Sequence, residues 1–118
     1  MLTATNGSFV VEQVRNVTVV CFTIHTLNEE NFEAVAEELN SLIHARGPRR
    51  VVVDLASIRQ IDELGLAVVQ SFHDGIEEIG GTAILCRLSP AVTALMNEVG
   101  LYRLLHIRTS RNEAVWTF

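Results

Sequence analysis

Apolar residues along the chain fall into two alternating patterns, short continuous runs and longer stretches with helical spacing. Short runs rich in valine, isoleucine and phenylalanine predict β-strands, whereas apolar residues repeated every three or four positions predict amphipathic helices. The predicted strands lie at residues 9–11, 17–22, 51–55, 82–86 and 105–108. The first two form a hairpin through Arg15-Asn16, and a helical stretch follows the hairpin and each later strand.

Residues that cap or terminate helices mark the helix ends. Asn28 is the expected N-cap of the first helix, and Gly47-Pro48 ends it. The second helix begins at about Asp62, and Gly80-Gly81 ends it. The stripe of this helix that should face the core comprises Leu64, Val68, Phe72 (or Ser71), Gly75 and Ile79. The capping signals of the last two helices are Ser89-Pro90, Gly100, and Ser110 with Glu113.

This order of elements predicts a single α/β domain with the order ββαβαβαβα. The hairpin supplies one antiparallel pair, and the later alternation of strand and helix implies parallel strands with right-handed crossovers. We therefore expect a mixed sheet of four to five strands with about four helices. Residues 1–8 are predicted to be a flexible N-terminus, and residues 9–118 to form the domain.

Composition narrows the range of functions. The net charge of the 118 residues is −5, and the nine basic residues, all arginine, form no basic run. We therefore expect poor binding of nucleic acid, because that affinity depends on basic side chains that neutralise phosphates. No apolar run approaches eighteen residues, which argues against membrane insertion, and the N-terminus does not resemble a secretion signal. We expect a cytoplasmic protein in which Cys21 and Cys86 are buried free thiols.

The sequence contains no recognisable catalytic constellation. Without lysine there is no phosphate-binding P-loop, and the same absence argues against a phosphorylated receiver domain. Two ligands, such as Cys21 with His25, do not make a zinc site, and the histidines fall on four different predicted elements. These histidines are His25, His44, His73 and His106. We therefore expect a protein that is not an enzyme and that uses no cofactor and no metal.

The hexamer at residues 61–66, Ile-Asp-Glu-Leu-Gly-Leu, is the most informative stretch of the chain. It lies where the STAS domains of bacterial anti-sigma factor antagonists carry Asp-Ser-Ser-Gly at the opening of a helix. The chain resembles that family from about Phe9 to Trp116. The segments that carry the rest of the resemblance, in the family's order and spacing, are residues 51–55, 80–85, 88–92 and 99–101.

The resemblance implies a protein-interaction module that docks on an anti-sigma factor or a serine kinase through the second helix and the loop before it. Asp62 matches the aspartate of the family motif, Glu63 the first serine, Leu64 the phosphoacceptor serine and Gly65 the glycine. Because leucine has no hydroxyl group, the family's phosphorylation switch does not carry over to this position. The residues expected to bind the partner are Asp62, Glu63, Leu64, Gly65 and Asp54.

Each of these residues also has a structural interpretation. Asp62 is a good N-cap, and Glu63 in the first turn is favourable to the helix dipole. Leu64 faces inward or packs at the helix opening, or it is an exposed apolar anchor for a partner. Gly65 costs about 1 kcal/mol of helix propensity against alanine, which points to a close approach of the backbone. Asp54 lies at the carboxyl edge of the sheet, where α/β proteins place sites, or caps the loop that follows.

The sequence leaves two other functions open. One is a scaffold subunit of a stressosome-like or lipid-transport complex, in which the helix faces and strand edges would matter more than the loop, and a homo-oligomer is left open. The other is binding of a small ligand or nucleotide at the carboxyl edge of the sheet, against which the lack of lysine and of a glycine-rich phosphate loop argues.

Overall fold

Valine-rich strands form the centre of a six-stranded mixed sheet. The computed structural model describes residues 2–5 and 7–118, with side chains from residue 7 onward. In spatial order the strands are β1 (Leu2–Thr5), β2 (Phe9–Val14), β3 (Val17–Phe22), β5 (Arg50–Asp54), β7 (Thr82–Cys86) and β8 (His106–Arg108). Two short strands, β4 (Thr26–Leu27) and β6 (Gln60–Ile61), form a separate parallel pair.

The strand pairing follows the predicted mixture of antiparallel and parallel neighbours. β2 and β3 form the antiparallel hairpin, in which Arg15 and Asn16 have φ angles of 53° and 65°. Two successive positive φ angles match the twist of the strands that such a tight turn connects. β3, β5, β7 and β8 are all parallel, which confirms the crossover connections.

Four helices cover the two faces of the sheet. They are α1 (Phe32–Arg46), α2 (Glu63–Glu78), α3 (Pro90–Glu98) and α4 (Arg111–Trp116). Val51 and Val53 of β5 belong to the larger apolar core with residues of α1, α2 and α3, whereas Val52 packs with Ala114 and Val115 of α4. Within the described residues, none of the helices combines the length and apolar character needed to cross a bilayer.

Most of the predicted helix ends are confirmed. Gly47 closes α1 in the left-handed conformation with a φ of 52°. The hydroxyl of Ser89 accepts a hydrogen bond from the Val92 amide at 3.3 Å, and that of Ser110 accepts one from the Glu113 amide at 3.0 Å. Short hydroxyl side chains satisfy amides that have no partner inside the helix.

The predicted N-cap of α1 is wrong. The cap residue is Asn31 rather than Asn28, and its side chain makes no capping hydrogen bond. The Asn28 side chain accepts from the Glu30 amide at 2.9 Å, and the Asn31 side chain accepts from the Asn28 amide at 2.9 Å. Because asparagine side chains compete for nearby backbone groups, they form a turn here and delay the helix by about one turn.

Three strands were not predicted. The pair β4 and β6 consists of only two residues per strand, too short to produce a periodic pattern. β1 lies at the edge of the sheet and obtains its ladder of hydrogen bonds from β2, with an irregularity between Leu2 and Ala4. Residues 1 and 6 lie outside the described residues, and the flexibility of residues 1–8 stays a prediction.

An ion pair between a buried aspartate and an exposed arginine connects the carboxyl ends of the central strands. The Asp54 side chain is fully buried at the end of β5, and Arg87, directly after β7, donates to both of its oxygens. The shortest of these contacts joins Arg87 Nη2 to Asp54 Oδ2 at 2.7 Å, and the Ala56 amide also donates to Asp54 Oδ1 at 3.0 Å. The buried carboxylate is therefore both paired and hydrogen-bonded, as a buried charge requires.

Replacing Arg87 by methionine should lower the free energy of unfolding by about 1–3 kcal/mol, because the buried Asp54 carboxylate would lose its counter-charge and keep only the hydrogen bond from the Ala56 amide. Urea denaturation of the two proteins measures the difference. Arg50→Met is the matched control, since Arg50 is exposed on the same strand as Asp54, and its effect should stay within about 0.5 kcal/mol. Equal losses in both variants would contradict a special role for the ion pair.

Candidate functional site

The opening of α2 is formed by Asp62, Glu63, Leu64 and Gly65, which together are called the α2 mouth. Asp62 is the N-cap, and its Oδ1 accepts a hydrogen bond from the Gly65 amide at 2.8 Å. Its Oδ2 accepts a second bond from the amide of Glu29 at 2.9 Å. One carboxylate thus caps the helix and also fastens the loop before α1 to it. The predicted capping role of Asp62 is confirmed, and the contact with Glu29 is an addition that only the structure reveals.

Gly65 lies where α2 touches the chain that leaves β4. A Cβ atom at this position would lie 2.2 Å from the carbonyl oxygen of Leu27, closer than real Cβ contacts. The Asp62 amide donates to the same Leu27 carbonyl at 3.3 Å. The close approach that the sequence predicted for Gly65 is therefore confirmed, and its partner is backbone that cannot rotate away.

Glu63 and Leu64 point outward from the α2 mouth. The Leu64 side chain is 43% exposed, and Glu63 is exposed beside it. Leu64 therefore does not face the core, and the inward-packed alternative is wrong. Gly65 is buried against Leu27, and Leu64, one residue before it, lies on the solvent side of the first turn.

The buried stripe of α2 differs in part from the predicted one. Val68 and Phe72 are buried as predicted, while Gly75 and Ile79 are only partly buried and Ser71 is exposed. The residues of the helix that the structure buries are Gly65, Leu66, Val68, Val69, Phe72, His73 and Ile76. The predicted stripe was centred too far toward the side of Leu64, because leucine at position 64 suggested an apolar face that the helix does not bury.

A shallow groove of about 260 Å³ lies next to the α2 mouth, between α2 and the segment that follows α3. Its walls are formed by Glu63, Leu66, Ala67, Gln70, Val99 and Leu101. Val99 is 41% exposed, and Leu64 itself lies beside the groove rather than in its wall. The contribution of Ala67, Gln70 and Val99 was not predicted, because the groove joins two segments that are distant in the sequence.

Negative charge surrounds the apolar residue of the α2 mouth. Glu63 is exposed, and the hydrogen bond to Asp62 brings the loop that carries Glu29 and Glu30, both exposed, to the same end of the helix. The helix dipole favours carboxylates at this end. The surface can therefore offer a partner one apolar anchor, Leu64, within an acidic rim.

Asp54 does not reach this surface. Its side chain is fully buried and occupied by Arg87 and by the Ala56 amide, as in the turn-acceptor interpretation. Cys21 and Cys86 flank it in register on β3 and β7, and both thiols are free. Cys86 is buried as predicted, but Cys21 is partly exposed.

The two thiols are poorly suited to act as nucleophiles. Burial raises the pKa of the Cys86 thiol to about 12, and the nearby Asp54 carboxylate adds to the rise. The pKa of the Cys21 thiol is raised for the same two reasons, burial first. Because the thiolate is the reactive form, both groups stay protonated and unreactive at neutral pH.

The carboxyl edge of the sheet also carries a cleft of about 240 Å³. Arg87, Arg108, Thr93 and Tyr102 are among the residues that line it, together with the carboxylate of Glu113. Arg87 is already committed to Asp54 through Nε and Nη2. Binding of a small ligand or nucleotide at this edge stays a prediction.

The structure brings together two histidines that the sequence placed on separate elements. The rings of His73 on α2 and His106 on β8 have centroids 6.1 Å apart. Their contact depends on how α2 packs across the sheet toward its edge strand, which no local pattern reveals.

Comparison with known proteins identifies similar chains. The family model of the STAS domain matches residues 8–114. BtrV of Bordetella bronchiseptica, a candidate anti-sigma factor antagonist, is 30% identical over 92 residues, which cover 78% of each chain. An anti-sigma F factor antagonist of Paenibacillus polymyxa is 25% identical over 81 residues, which cover 69% of each chain.

Solved structures share the fold. A crystal structure of a candidate anti-sigma factor antagonist from Thermotoga maritima matches with a TM-score of 0.82 at 21% identity, with 92% of each chain covered. A similarity at this level of identity establishes the common architecture and leaves the function to the residues of the site.

Gly65→Ala should lower the free energy of unfolding by about 2 kcal/mol or more, because its methyl group would overlap the Leu27 backbone. Thermal or urea denaturation measures the loss. Gly75→Ala on the same helix is the control, since its new methyl group would meet only the flexible tip of Ile43 at 3.0 Å. Alanine gains up to about 1 kcal/mol of helix propensity there, so a comparable loss in both variants would contradict the close-approach argument.

Proposed function

The chain belongs to the STAS domain family, and from that premise we propose that it is a non-enzymatic regulator that binds an anti-sigma factor or a serine kinase through the α2 mouth. The observation that carries the proposal is the exposure of Leu64 on the first turn of a helix whose start is held in place by Asp62 and Gly65. The proposal includes a cytoplasmic location.

The contact surface of this proposal has an apolar centre and an acidic rim. Leu64 and the adjoining groove provide the centre, and Glu63 with the neighbouring Glu29 and Glu30 provides the rim. Interfaces typically combine a desolvated apolar core with a polar border. A partner that fits would bring an apolar pocket bordered by basic side chains, whose charges would mainly speed association.

Asp54 would contribute to this surface only indirectly. The ion pair of Asp54 with Arg87 holds the carboxyl ends of β5 and β7 together. The chain runs from this end of β5 to the α2 mouth. We assign direct contact to Glu63 and Leu64, and a positioning role to Asp62, Gly65 and Asp54.

The names of the curated relatives support a role in anti-sigma factor antagonism. In this chain the position that matches the family's phosphoacceptor is Leu64, which has no oxygen to accept a phosphoryl group. A carboxylate at Glu63 carries a charge of −1, against about −1.5 to −2 for a phosphoserine. We therefore propose that binding at the α2 mouth is not switched off by phosphorylation there.

Leu64→Ala and Glu63→Gln should each weaken partner binding while leaving the fold intact, because both side chains are exposed. Truncation of an anchor at the centre of an interface typically costs about 2 kcal/mol or more, whereas loss of a rim charge costs less and acts mainly on the association rate. Calorimetric titration against the anti-sigma factor and the serine kinase of the same organism measures the affinities, and stopped-flow mixing measures the rates.

Two variants away from the α2 mouth serve as controls for this experiment. Glu78→Gln removes an equivalent charge at the opposite end of α2, and Trp116→Ala removes a side chain that is 63% exposed on α4, across the sheet. Both should bind with unchanged affinity. Binding that depends on Trp116 and not on Leu64 would contradict the proposed surface, and binding to neither class of partner would contradict the function itself.

Incubation with the cognate serine kinase and ATP should leave residues 62–65 of the natural chain without phosphate, whereas Leu64→Ser should acquire one phosphoryl group at position 64. The helix N-terminus would stabilise that phosphate through its free amides and dipole. Mass spectrometry of the intact proteins and their peptides gives the result, with Leu64→Ala as the matched negative control.

Stoichiometric phosphate elsewhere in the natural chain would overturn the proposal that phosphorylation does not switch off binding. Ser71 is the most informative position to inspect, because it is exposed on α2, whereas Ser57 and Ser110 are only partly exposed. A Ser71→Ala variant that abolishes such labelling would show that the switch had moved along the helix.

A further inference from the structure

Three side chains with metal-ligating atoms meet between α2 and the edge strand β8. His73 and Glu77 are separated by four residues on α2 and so lie on one side of the helix, while His106 begins β8. One ligand atom from each of the three residues lies within 4.8 Å of the other two. Glu77 Oε1 is already 3.8 Å from His73 Nδ1.

One ring nitrogen of His73 is buried without a partner among the described residues. The residue is only 3% exposed, yet its Nε2 has no hydrogen-bond partner among the side chains and backbone groups that the structure describes. Buried polar atoms without partners are rare, and each calls for an explanation such as a bound ion. Nδ1 of the same ring lies 3.1 Å from Asp74 Oδ1, which can orient the imidazole.

The chemistry of the three groups fits a transition-metal ion. Two imidazoles and one carboxylate form a donor set that suits Zn²⁺, with ligand distances of about 2.0–2.2 Å. Tetrahedral geometry at such distances places ligand atoms about 3.4 Å apart. Atoms now within 4.8 Å of one another can reach that spacing by small side-chain rotations, because Glu77 and His106 are exposed and free to adjust.

The surroundings also favour a cation. The carboxylate of Asp74 lies beside the His73 ring, and a histidine ligand that also contacts a carboxylate is a common arrangement at metal sites. His106 is the one ligand that comes from outside α2, so a bound ion would connect the helix to the edge strand. This strand has only three residues.

We propose that His73, Glu77 and His106 bind a Zn²⁺ ion, with the fourth coordination position open to water. The site lies on the second half of α2, whereas the α2 mouth opens its first turn. It is independent of the proposed partner-binding function. The ion would fasten the C-terminal half of α2 to β8.

Isothermal titration of the untagged full chain with Zn²⁺ tests this proposal. We expect one equivalent of Zn²⁺ to bind. Glu77→Gln and His106→Gln should each weaken binding by more than about tenfold, because even the loss of a group that only contacts a metal ligand costs about tenfold in affinity. Zn²⁺ should also raise the unfolding temperature of the natural chain, since it binds only the folded state, and this rise should shrink in both variants. His73→Gln is not the primary variant, because a buried substitution can damage the fold.

His44→Gln is the matched control, because His44 is exposed on α1 and belongs to no cluster of ligands among the described residues. Its Zn²⁺ affinity should be unchanged. Titration with Co²⁺ gives a second readout, since visible absorption reports on four-coordinate geometry and paramagnetic broadening of amide signals should centre on residues 73, 77 and 106. No Zn²⁺ binding, or binding that is lost in His44→Gln and kept in Glu77→Gln and His106→Gln, would overturn the site.

Discussion

The contact between the backbones of Gly65 and Leu27 is the constraint on which the functional end of the molecule depends. A Cβ atom at position 65 would approach the Leu27 carbonyl oxygen to 2.2 Å, so the first turn of α2 can dock only where no side chain intervenes. The carboxylate of Asp62 secures the same junction by accepting hydrogen bonds from the amides of Gly65 and Glu29. A backbone contact and a two-way cap together hold the helix and the loop before α1 as one rigid surface.

The first turn of α2 offers Leu64 to solvent. Gly65 and Leu66 are turned inward, whereas Leu64 lies on the solvent side of the helix. The position that would carry a phosphorylatable serine in the family's motif instead presents an apolar side chain beside the carboxylate of Glu63. This arrangement of an exposed charge and an exposed apolar side chain is the basis of the proposed contact with a protein partner.

At the carboxyl end of β5, the buried polar group Asp54 stabilises the fold. Asp54 is paired with Arg87 and lies between two thiols whose pKa values are raised. The two proposed sites lie along α2, with the α2 mouth at one end and the cluster of His73, Glu77 and His106 toward the other. One helix therefore contributes to both of the proposed binding surfaces.

The sequence by itself determined the order of the five predicted strands and the four helices, most of the helix ends and the family motif, because hydrophobic periodicity and capping are local. It also anticipated that Gly65 faces a close neighbour and that Asp62 caps a helix. Only the tertiary structure decided that Leu64 is exposed, that Asp54 is buried against Arg87, that residues 2–5 form an edge strand and that His73 meets His106. Each of these outcomes depends on groups that are not neighbours in the sequence. Whether such groups meet is decided by how helices and strands pack, which a short segment of sequence does not show.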